Sequence, residues 1–168
     1  MSEPGEAQTR RVRRRAIRSS RCAPRHQTGS VQKAEKDFYN RQMIGQFAAV
    51  GIGAALGAWL RWGLAVSLNA LLPRFPLGTL LANLLGGFLV GMAMAYFLAR
   101  DDLPPEWRLF VITGFLGGLT TFSAFSLEVT QLLFDRQILA AAALAGTHLA
   151  GSIALTIAGF ASYRALAL

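Results

Sequence analysis

The hydrophobic residues of the chain fall into four long stretches that carry no charge. The stretches contain 19, 25, 19 and 27 residues and are bounded by Arg41 and Arg61, Arg74 and Arg100, Arg108 and Glu128, and Arg136 and Arg164. A helix needs about 20 apolar residues to cross the hydrocarbon of a bilayer. The pattern therefore predicts four membrane spans, at about residues 44–68, 76–99, 108–133 and 138–164.

The connectors between these stretches are short and carry the helix-breaking prolines and most of the charges of residues 43–168. Lipid offers no partner to an unpaired backbone group, so only tightly connected helices suit such a chain. A soluble helical core does not fit, because no stretch has a polar face wide enough to meet water. We predict an all-α integral membrane protein with four transmembrane helices.

Charge changes this picture only at the N-terminus. Residues 1–42 hold eleven of the seventeen Lys and Arg and four of the nine Asp and Glu, a net charge of +7, whereas residues 43–168 carry +1. The basic segment has no apolar periodicity, which predicts a disordered tail before a transmembrane domain at 43–168. The tail is either an arm for nucleic acid or acidic lipid, or a solvated extension upstream of a true start at Met43. We expect no nucleic-acid partner.

The composition also excludes several function classes. One cysteine and two histidines argue against a disulfide framework and against a metal site built from these residues. The sequence shows no nucleophile–base pair, no phosphate-binding loop and no pair of carboxylates within one span. We predict that the protein is not an enzyme.

Small and polar residues recur within the apolar spans. Glycines recur at a spacing of four, which lets membrane helices pack closely; the pairs are Gly53 and Gly57, Gly87 and Gly91, and Gly114 and Gly118. Thr79, Asn83 and Gly86 share one face of the second span. Because polar groups in hydrocarbon are costly, we expect this face to form either a helix–helix hydrogen bond or part of a ligand path.

The third span contains a predicted break. Gly117-Gly118 is followed by Thr120-Thr121, and these residues weaken a helix. Backbone carbonyls freed at mid-membrane are tolerated only where they are buried in protein, line a cavity or bind an ion. Beyond the break, the side chains of Phe122 and Phe125 lie on one side among hydroxyls.

Three motifs carry a resemblance to a known family. They are GAWLRW at 57–62, PLGTLLAN at 76–83 and GFLGGLTTFSAFSLE at 114–128. In this order they resemble the Fluc (CrcB) family of fluoride channels over roughly residues 45–166. The resemblance implies a multi-pass channel of the bacterial inner membrane that lowers cytoplasmic fluoride by passive efflux. It also implies a homodimer in which two copies insert antiparallel, with dual topology.

The resemblance assigns roles to particular residues. Asn83 matches the pore asparagine, and Phe122 and Phe125 match the phenylalanines whose ring edges face fluoride. The other polar positions of the pathway are matched by Thr79, Thr121, Ser123, Ser126 and Glu128, and an arginine near a vestibule is matched by Arg61. The carbonyls of Gly117 and Thr120 match those that hold a structural sodium ion (Na+) at the dimer centre.

The fourth span departs from the family pattern. The family usually carries serine or asparagine at a pore-facing position where this chain has His148, and Leu144 replaces a tyrosine one turn earlier. A shift of one residue would put Thr147 at the position instead. By itself, a lone histidine in a helix is more often a packing residue than a ligand.

From composition alone, Arg61 beside Trp59 and Trp62 is interpreted as a side chain that reaches the membrane interface.

Arginine counts fit insertion in both orientations. Without the tail, the side that holds both termini carries three arginines and the opposite side carries two, or three if Arg61 reaches that side. Orientation is set by such a bias, and here it nearly vanishes.

Two other functions compete with a fluoride channel. A small multidrug-type exporter is also a four-helix dual-topology dimer, but it depends on a glutamate in the first span, where this chain has no acid. A membrane subunit without transport activity would use Asn83, Phe122 and Phe125 for packing alone.

We predict that deleting residues 1–42 leaves fluoride export intact, because the tail lacks an apolar period and residues 43–168 contain all four spans. The measurement is fluoride resistance of cells that express a chain starting at Met43, together with the oligomeric state of that chain. Loss of either would contradict the prediction.

Overall fold

The computed structural model describes residues 25–70, 76–100 and 102–167. The first helix is α1 (Arg25–Leu68), and α2 follows (Leu77–Leu98). The third span is made of two segments. The first, called α3 below, covers residues 105–119, and the second is α4 (Phe122–Phe134). The last helix is α5 (Ile138–Leu166).

Four helical stretches are long and apolar enough to cross a membrane, as predicted. They are Gln32–Leu68, Leu77–Leu98, Pro105–Phe134 and Ile138–Leu166. The third begins at Pro105, three residues before the predicted start, because Pro at the first helical position has the right φ and lacks only an N–H that would be unpaired there. The chain is thus an all-helical, multi-pass membrane protein.

The start of α1 differs from the sequence prediction. We predicted disorder for residues 1–42, but residues 25–42 are helical. Residues 30–44 contain neither Gly nor Pro and include the strong helix formers Lys33, Ala34, Glu35 and Lys36. A helix can therefore form there without a hydrophobic face. Residues 1–24 lie outside the described part of the chain. A division of the chain by internal contacts falls between Gln42 and Met43, and the features below belong to the unit that starts at Met43.

The third span contains the predicted break and, before it, a feature that we did not predict. Within α3, residues Leu109–Leu116 form a π-helix, whose last turn is closed by the Gly117 N–H donating to the carbonyls of Ile112 and Gly114. The helix then stops at Leu119, and Thr120 and Thr121 are extended, with φ/ψ of −82°/152° and −149°/123°. Helix α4 begins at Phe122, immediately after this two-residue interruption.

The paired glycines bring helix backbones into contact, as predicted. A Cβ built on Gly57 of α1 would collide with the carbonyl oxygen of Phe115, and one built on Gly118 of α3 would lie 2.5 Å from the Ala54 carbonyl oxygen. Gly91 of α2 and Gly159 of α5 meet each other's helix backbone in the same way. The α1–α3 and α2–α5 pairs therefore pack at distances that any side chain would prevent.

We predict that Gly57→Ala destabilises the fold, because the new methyl group meets the backbone of α3, which cannot move aside as a side chain can. Overpacking of this kind costs about 1–3 kcal/mol. The control is Gly63→Ala in the same helix, where a Cβ has no neighbour within 4 Å in this chain. There the better helix propensity of Ala is expected to leave stability unchanged or to raise it by up to about 1 kcal/mol. Thermal unfolding of the two variants in detergent measures the difference, and equal melting temperatures would contradict the prediction.

Candidate functional site

The polar face of α2 lies against the broken third span. Thr79, Asn83 and Gly86 of this face each contact a different residue of that span. Thr79 Oγ1 donates to Glu128 Oε1 at 2.6 Å. Asn83 bonds to Thr121 at the break, and Gly86 leaves room for the Thr120 methyl group, which a Cβ at Gly86 would overlap. The expectation that these three α2 residues share one face is confirmed by their common neighbour, the third span.

Asn83 joins the break through two hydrogen bonds to one residue. The Thr121 N–H donates to Asn83 Oδ1 at 2.7 Å, and Asn83 Nδ2 donates to the Thr121 carbonyl at 3.0 Å. The side-chain amide thus accepts from the Thr121 N–H, which the extended conformation removes from the helix, and also donates to the carbonyl of the residue that caps α4. In hydrocarbon an unpaired group of this kind would cost several kcal/mol, so Asn83 is what makes the interruption tolerable.

The same bonds leave two carbonyls without their usual helical partners. In an unbroken helix the Thr121 N–H would donate to the Gly117 carbonyl, but here it donates to Asn83. The Ala124 N–H would donate to the Thr120 carbonyl, but it donates to Thr121 Oγ1 at 3.3 Å. The Thr121 side chain is therefore the N-cap of α4, and the carbonyls of Gly117 and Thr120 are available as acceptors.

A third carbonyl at the break has a cationic partner. Arg61 of α1 donates from Nε to the Gly118 carbonyl at 3.2 Å. In an unbroken helix this carbonyl would accept from Phe122. The half-buried Arg61 therefore binds the break itself, rather than only reaching the membrane interface as composition alone suggested. Its predicted place near a vestibule is not tested by this contact.

A cavity of about 380 Å³ lies beside the break, between α2, the third span and α5. The predicted site residues that line it are Asn83, Gly117, Thr120, Thr121, Phe122, Phe125 and His148. The rest of its wall is apolar apart from the Ser152 hydroxyl, and contains Gly86 and Gly87, which bring the α2 backbone to its edge. Seven residues singled out by sequence thus surround one space.

His148, rather than Thr147, faces this space. His148 is buried, its Nδ1 lies 3.1 Å from Asn83 Nδ2, and its ring stacks on Phe125 with centroids 4.6 Å apart. Thr147 is exposed, and its hydroxyl bonds back to the Ala143 carbonyl of its own helix. The helical register of α5 relative to Asn83 therefore selects His148 from the two alternatives.

The two phenylalanines differ in exposure. Their rings are in an edge contact, with centroids 5.4 Å apart and planes at 65°. Phe125 is half-buried under His148, whereas 78% of Phe122 is exposed in the single chain. An edge contact presents the positive rim of one ring to a neighbour. In this chain, Phe122 has room to accept another contact.

The remaining predicted residues lie at different distances from the cavity. The Ser123 hydroxyl is 3.2 Å from Thr121 Oγ1, which places it next to the cavity wall. Thr79 and Glu128 pair one helical turn away, and Glu128 Oε2 is buried without a hydrogen-bond partner among the described residues. Ser126 is half-buried, and its hydroxyl makes no hydrogen bond to another described residue, while its carbonyl accepts from the Thr130 hydroxyl. The structure does not bring Ser126 to the cavity.

About two thirds of the chain matches a known sequence family. A profile described as "CrcB-like protein, Camphor Resistance (CrcB)" matches residues 48–160, from within α1 to within α5. The chain belongs to the CrcB family. The matched region contains the second and third spans, most of the first and the last, the break and every residue of the cavity, so the architecture described above is that of a CrcB family member.

Three relatives show how close this membership is. The chain is 54% identical over 121 residues to a protein of Pseudomonas putida, covering 72% of this chain and 95% of the relative. It is 58% identical over 121 residues to a protein of Cupriavidus necator, with 72% and 96% covered, and 54% identical over 123 residues to one of Burkholderia cenocepacia, with 73% and 96% covered. All three relatives are named "Fluoride-specific ion channel FluC". These names describe channels and not enzymes, in agreement with the prediction that no catalysis occurs.

Sequence reasoning missed the pairing of these residues rather than the residues themselves. It did not predict the contacts of Arg61 with Gly118, of Thr79 with Glu128, or of His148 with Asn83. One local signal was available. A threonine directly before a helix commonly acts as its N-cap and accepts from the N–H three residues later, as Thr121 accepts from Ala124. The other contacts join distant parts of the sequence.

We predict that Thr121→Val lowers the stability of the protein by removing the N-cap of α4, although Val has nearly the same volume as Thr. Val cannot accept from the Ala124 N–H, so α4 loses its cap, which costs about 1 kcal/mol of unfolding free energy. The matched control is Thr130→Val in the same helix, whose hydroxyl only bonds back to the Ser126 carbonyl. It should change stability by less than about 0.5 kcal/mol. Unfolding in mixed micelles compares the two, and a control as destabilised as Thr121→Val would refute the capping role.

Proposed function

We propose that this CrcB family member is a fluoride-specific ion channel that lowers cytoplasmic fluoride by passive efflux. The observation that carries the proposal is the mid-membrane cavity lined by Asn83, Phe122 and Phe125, in a chain whose relatives are named fluoride-specific channels. Fluoride is cargo here, and its path comprises the cavity and the polar residues beyond it.

The chemistry of the cavity suits a small, strongly hydrated anion. Such an ion crosses hydrocarbon only if close donors replace its water. Hydroxyls and N–H groups are such donors, and the rims of aromatic rings are weaker ones. Thr121 and Ser123 supply hydroxyls next to Phe122 and Phe125, and Thr79 continues the polar face of α2 toward Glu128.

Passive flow is sufficient for export. The sequence has no ATP-binding motif and no pair of intramembrane carboxylates that could carry protons in exchange. Fluoride enters cells as neutral HF at low external pH and dissociates inside, so membrane voltage alone drives the anion out. An exporter of the small multidrug type remains disfavoured, because the apolar part of the first span, residues 42–68, contains no acid.

The proposed assembly is an antiparallel homodimer with dual topology. Support comes from Phe122, which is assigned to the pathway but is 78% exposed in the single chain. A second copy against this face would enclose the ring and complete the wall. The near balance of arginines on the two sides of residues 43–168 is compatible with insertion in both orientations. The proposed location is the inner membrane of a bacterial cell.

A structural sodium ion at the dimer centre forms part of the proposal. The carbonyls of Gly117 and Thr120 would hold it, and these are the two whose helical donors are diverted, to Asn83 and to the Thr121 side chain. Unwound backbone carbonyls in membrane helices are suitable ligands for Na+. When bound, the ion would neutralise these dipoles and hold two breaks together.

Fluoride efflux from liposomes tests the function directly. Purified protein is reconstituted at low density in vesicles loaded with potassium fluoride, efflux is started with a potassium ionophore, and a fluoride electrode follows release. We expect rapid release of fluoride and none of chloride from matched vesicles. A protein that releases neither would support the subunit without transport activity, and release of an organic cation would support the exporter.

We predict that Phe122→Leu and Phe125→Leu each reduce fluoride efflux strongly while the protein stays folded. Leu keeps the apolar character and much of the volume, so a packing role alone would cost less than about 1.5 kcal/mol of stability. Loss of the positive ring edge removes a contact with the ion. The control is Phe97→Leu near the end of α2, where the ring contacts Tyr96 and does not line the cavity. Wild-type efflux in both Phe122 and Phe125 variants would refute the aromatic part of the mechanism.

We predict that replacing sodium with a large organic cation throughout purification lowers the stability of the dimer. Breaks that face each other without a cation would bring carbonyl dipoles of like sign together. Melting temperature and oligomeric state, measured with sodium and with N-methylglucamine, report the effect. Identical values in both salts would remove the sodium ion from the proposal.

A further inference from the structure

A second cavity lies between α2 and α5 at the end where both helices stop. Its volume is about 330 Å³. Ala95, Leu98 and Ala99 form the α2 side of its wall, and the α5 side includes Phe160, Tyr163 and Arg164. None of these residues lines the cavity beside the break. The space is therefore separate from the site described above.

The packing of the two helices explains why a cavity forms there. At Gly91 the helix backbones touch, since a Cβ at this position would overlap the Thr156 carbonyl and lie 2.9 Å from the backbone nitrogen of Phe160. Ala95 and Ala99 follow Gly91 at intervals of four residues and so continue the same face of α2. Their side chains are too small to fill the space between the helices beyond that contact.

This cavity lies at the level of the membrane interface. The stretches of α2 and α5 that can cross a membrane end at Leu98 and Leu166. Arg100 and Arg164 are exposed at these two helix ends. Long basic side chains are typical of this level, because the charged group stays hydrated while the stem contacts hydrocarbon. The molecules that surround the cavity in a membrane are therefore phospholipids.

The cavity combines an apolar interior with a cationic rim. Ala95 is buried, whereas Arg164 is exposed. The ring of Tyr163 is in edge contact with Tyr96, with centroids 5.9 Å apart and planes at 90°. Tyr96 in turn has the Arg100 guanidinium 5.8 Å from its ring centroid. The tyrosine pair thus connects two guanidinium groups, one from each helix.

The charge of this rim favours a headgroup with a net negative charge. Guanidinium groups bind phosphate oxygens through a planar fork of donors, and no carboxylate lines the described part of the cavity. A zwitterionic headgroup would bring its own ammonium group close to Arg100 and Arg164, which would repel it. Basic pockets between membrane helices are suited to anionic headgroups for this reason.

The size of the cavity disfavours a helical protein partner. One turn of an α-helix, about 10 Å across and 5.4 Å long, occupies about 420 Å³. This volume exceeds the 330 Å³ between α2 and α5. A phospholipid is thinner and flexible, so its headgroup and the adjoining part of an acyl chain can enter.

We propose that this cavity binds one anionic glycerophospholipid. The lipid phosphate contacts the guanidinium of Arg164, with Arg100 beside it, and an acyl chain lies against Leu98 and Phe160. The lipid fills the space between α2 and α5 that the glycine contacts do not close. The proposal goes beyond the fluoride function and does not depend on it.

A role confined to the helix end is the alternative for Arg164. The residue lies in the last turn of α5, where a cation stabilises the helix dipole. That effect involves no lipid, so it would be the same in anionic and in zwitterionic lipid. Lipids that differ only in headgroup charge therefore distinguish the two roles.

Native mass spectrometry of the full chain, released from a nonionic detergent, counts the bound lipids. The protein is first equilibrated with phosphatidylglycerol and phosphatidylcholine of identical acyl chains. We expect one phosphatidylglycerol per chain to be retained in preference to phosphatidylcholine. Arg164→Gln should weaken this retention by at least about tenfold, the effect of one lost hydrogen bond to a charged group. Equal retention of the two lipids by the unmodified chain would overturn the proposal.

Two further variants separate the cavity from a general attraction between basic residues and anionic lipid. Arg108→Gln removes an exposed positive charge that does not line the cavity, and it should leave retention unchanged. Ala99→Leu occupies part of the cavity and keeps every charge, so it should reduce retention. A loss in Arg108→Gln as large as in Arg164→Gln would overturn the proposal, and so would full retention by Ala99→Leu.

Thermal unfolding in the same two lipids tests the role at the helix end. We expect phosphatidylglycerol to raise the melting temperature of the unmodified chain above its value in phosphatidylcholine, and this rise to vanish in Arg164→Gln. A melting temperature that Arg164→Gln lowers equally in both lipids would assign the residue to the helix end alone and overturn the proposal. Absence of fluoride efflux would reject the proposed function instead, and it would leave the lipid measurements unaffected.

Discussion

The double hydrogen bond between the Asn83 amide and the backbone of Thr121 is the interaction on which the rest of the site depends. A membrane-spanning helix cannot simply stop, because each unpaired backbone group in hydrocarbon costs several kcal/mol. The Asn83 side chain of α2 accepts from the Thr121 N–H, which the break removes from the helix, and donates to the carbonyl of the same residue. By doing so it diverts the Thr121 N–H from Gly117, and this produces a free carbonyl at the same level of the membrane. The break, the freed carbonyl and the adjoining cavity are thus consequences of one contact.

That contact requires α2 to approach the third span closely, and small residues make this approach possible. Gly86 accommodates the methyl group of Thr120, and Gly87 and Gly91 let α5 lie against the α2 backbone. On the other side, Gly53 and Gly57 of α1 meet the backbone of α3. Lipid tails are as apolar as the side chains, so the hydrophobic effect does not drive helices together within the membrane. Close packing of this kind supplies the association energy instead. The precision of the polar network therefore depends on glycines that take no part in its chemistry.

Periodicity along the chain was sufficient to predict the four spans, the common face of Thr79, Asn83 and Gly86, and the break before Phe122, because each of these depends on residues near in sequence. The π-helix at Leu109–Leu116 was not predictable from propensity, since its hydrogen bonds differ from those of an α-helix by one residue in spacing and its packing against α1 is a tertiary effect. The choice between Thr147 and His148 also needed the register of α5 against α2. Residues 25–42 show the opposite error: absence of a hydrophobic face was read as disorder, although helix-forming residues can extend an existing helix.

The hydrogen-bond count constrains how an anion could be held in such a cavity. An amide nitrogen has two hydrogens, and both of those on Asn83 are already engaged, so this residue cannot contact an ion without giving up a bond that stabilises the break or orients His148. A donor that is fixed in place yet uncommitted costs no reorganisation when the ion arrives. The ring of Phe122 meets that condition, because it lies on the wall of the cavity, is 78% exposed in the single chain and makes an edge contact with Phe125. An ion that meets such a ring leaves the hydrogen bonds between Asn83 and the break intact.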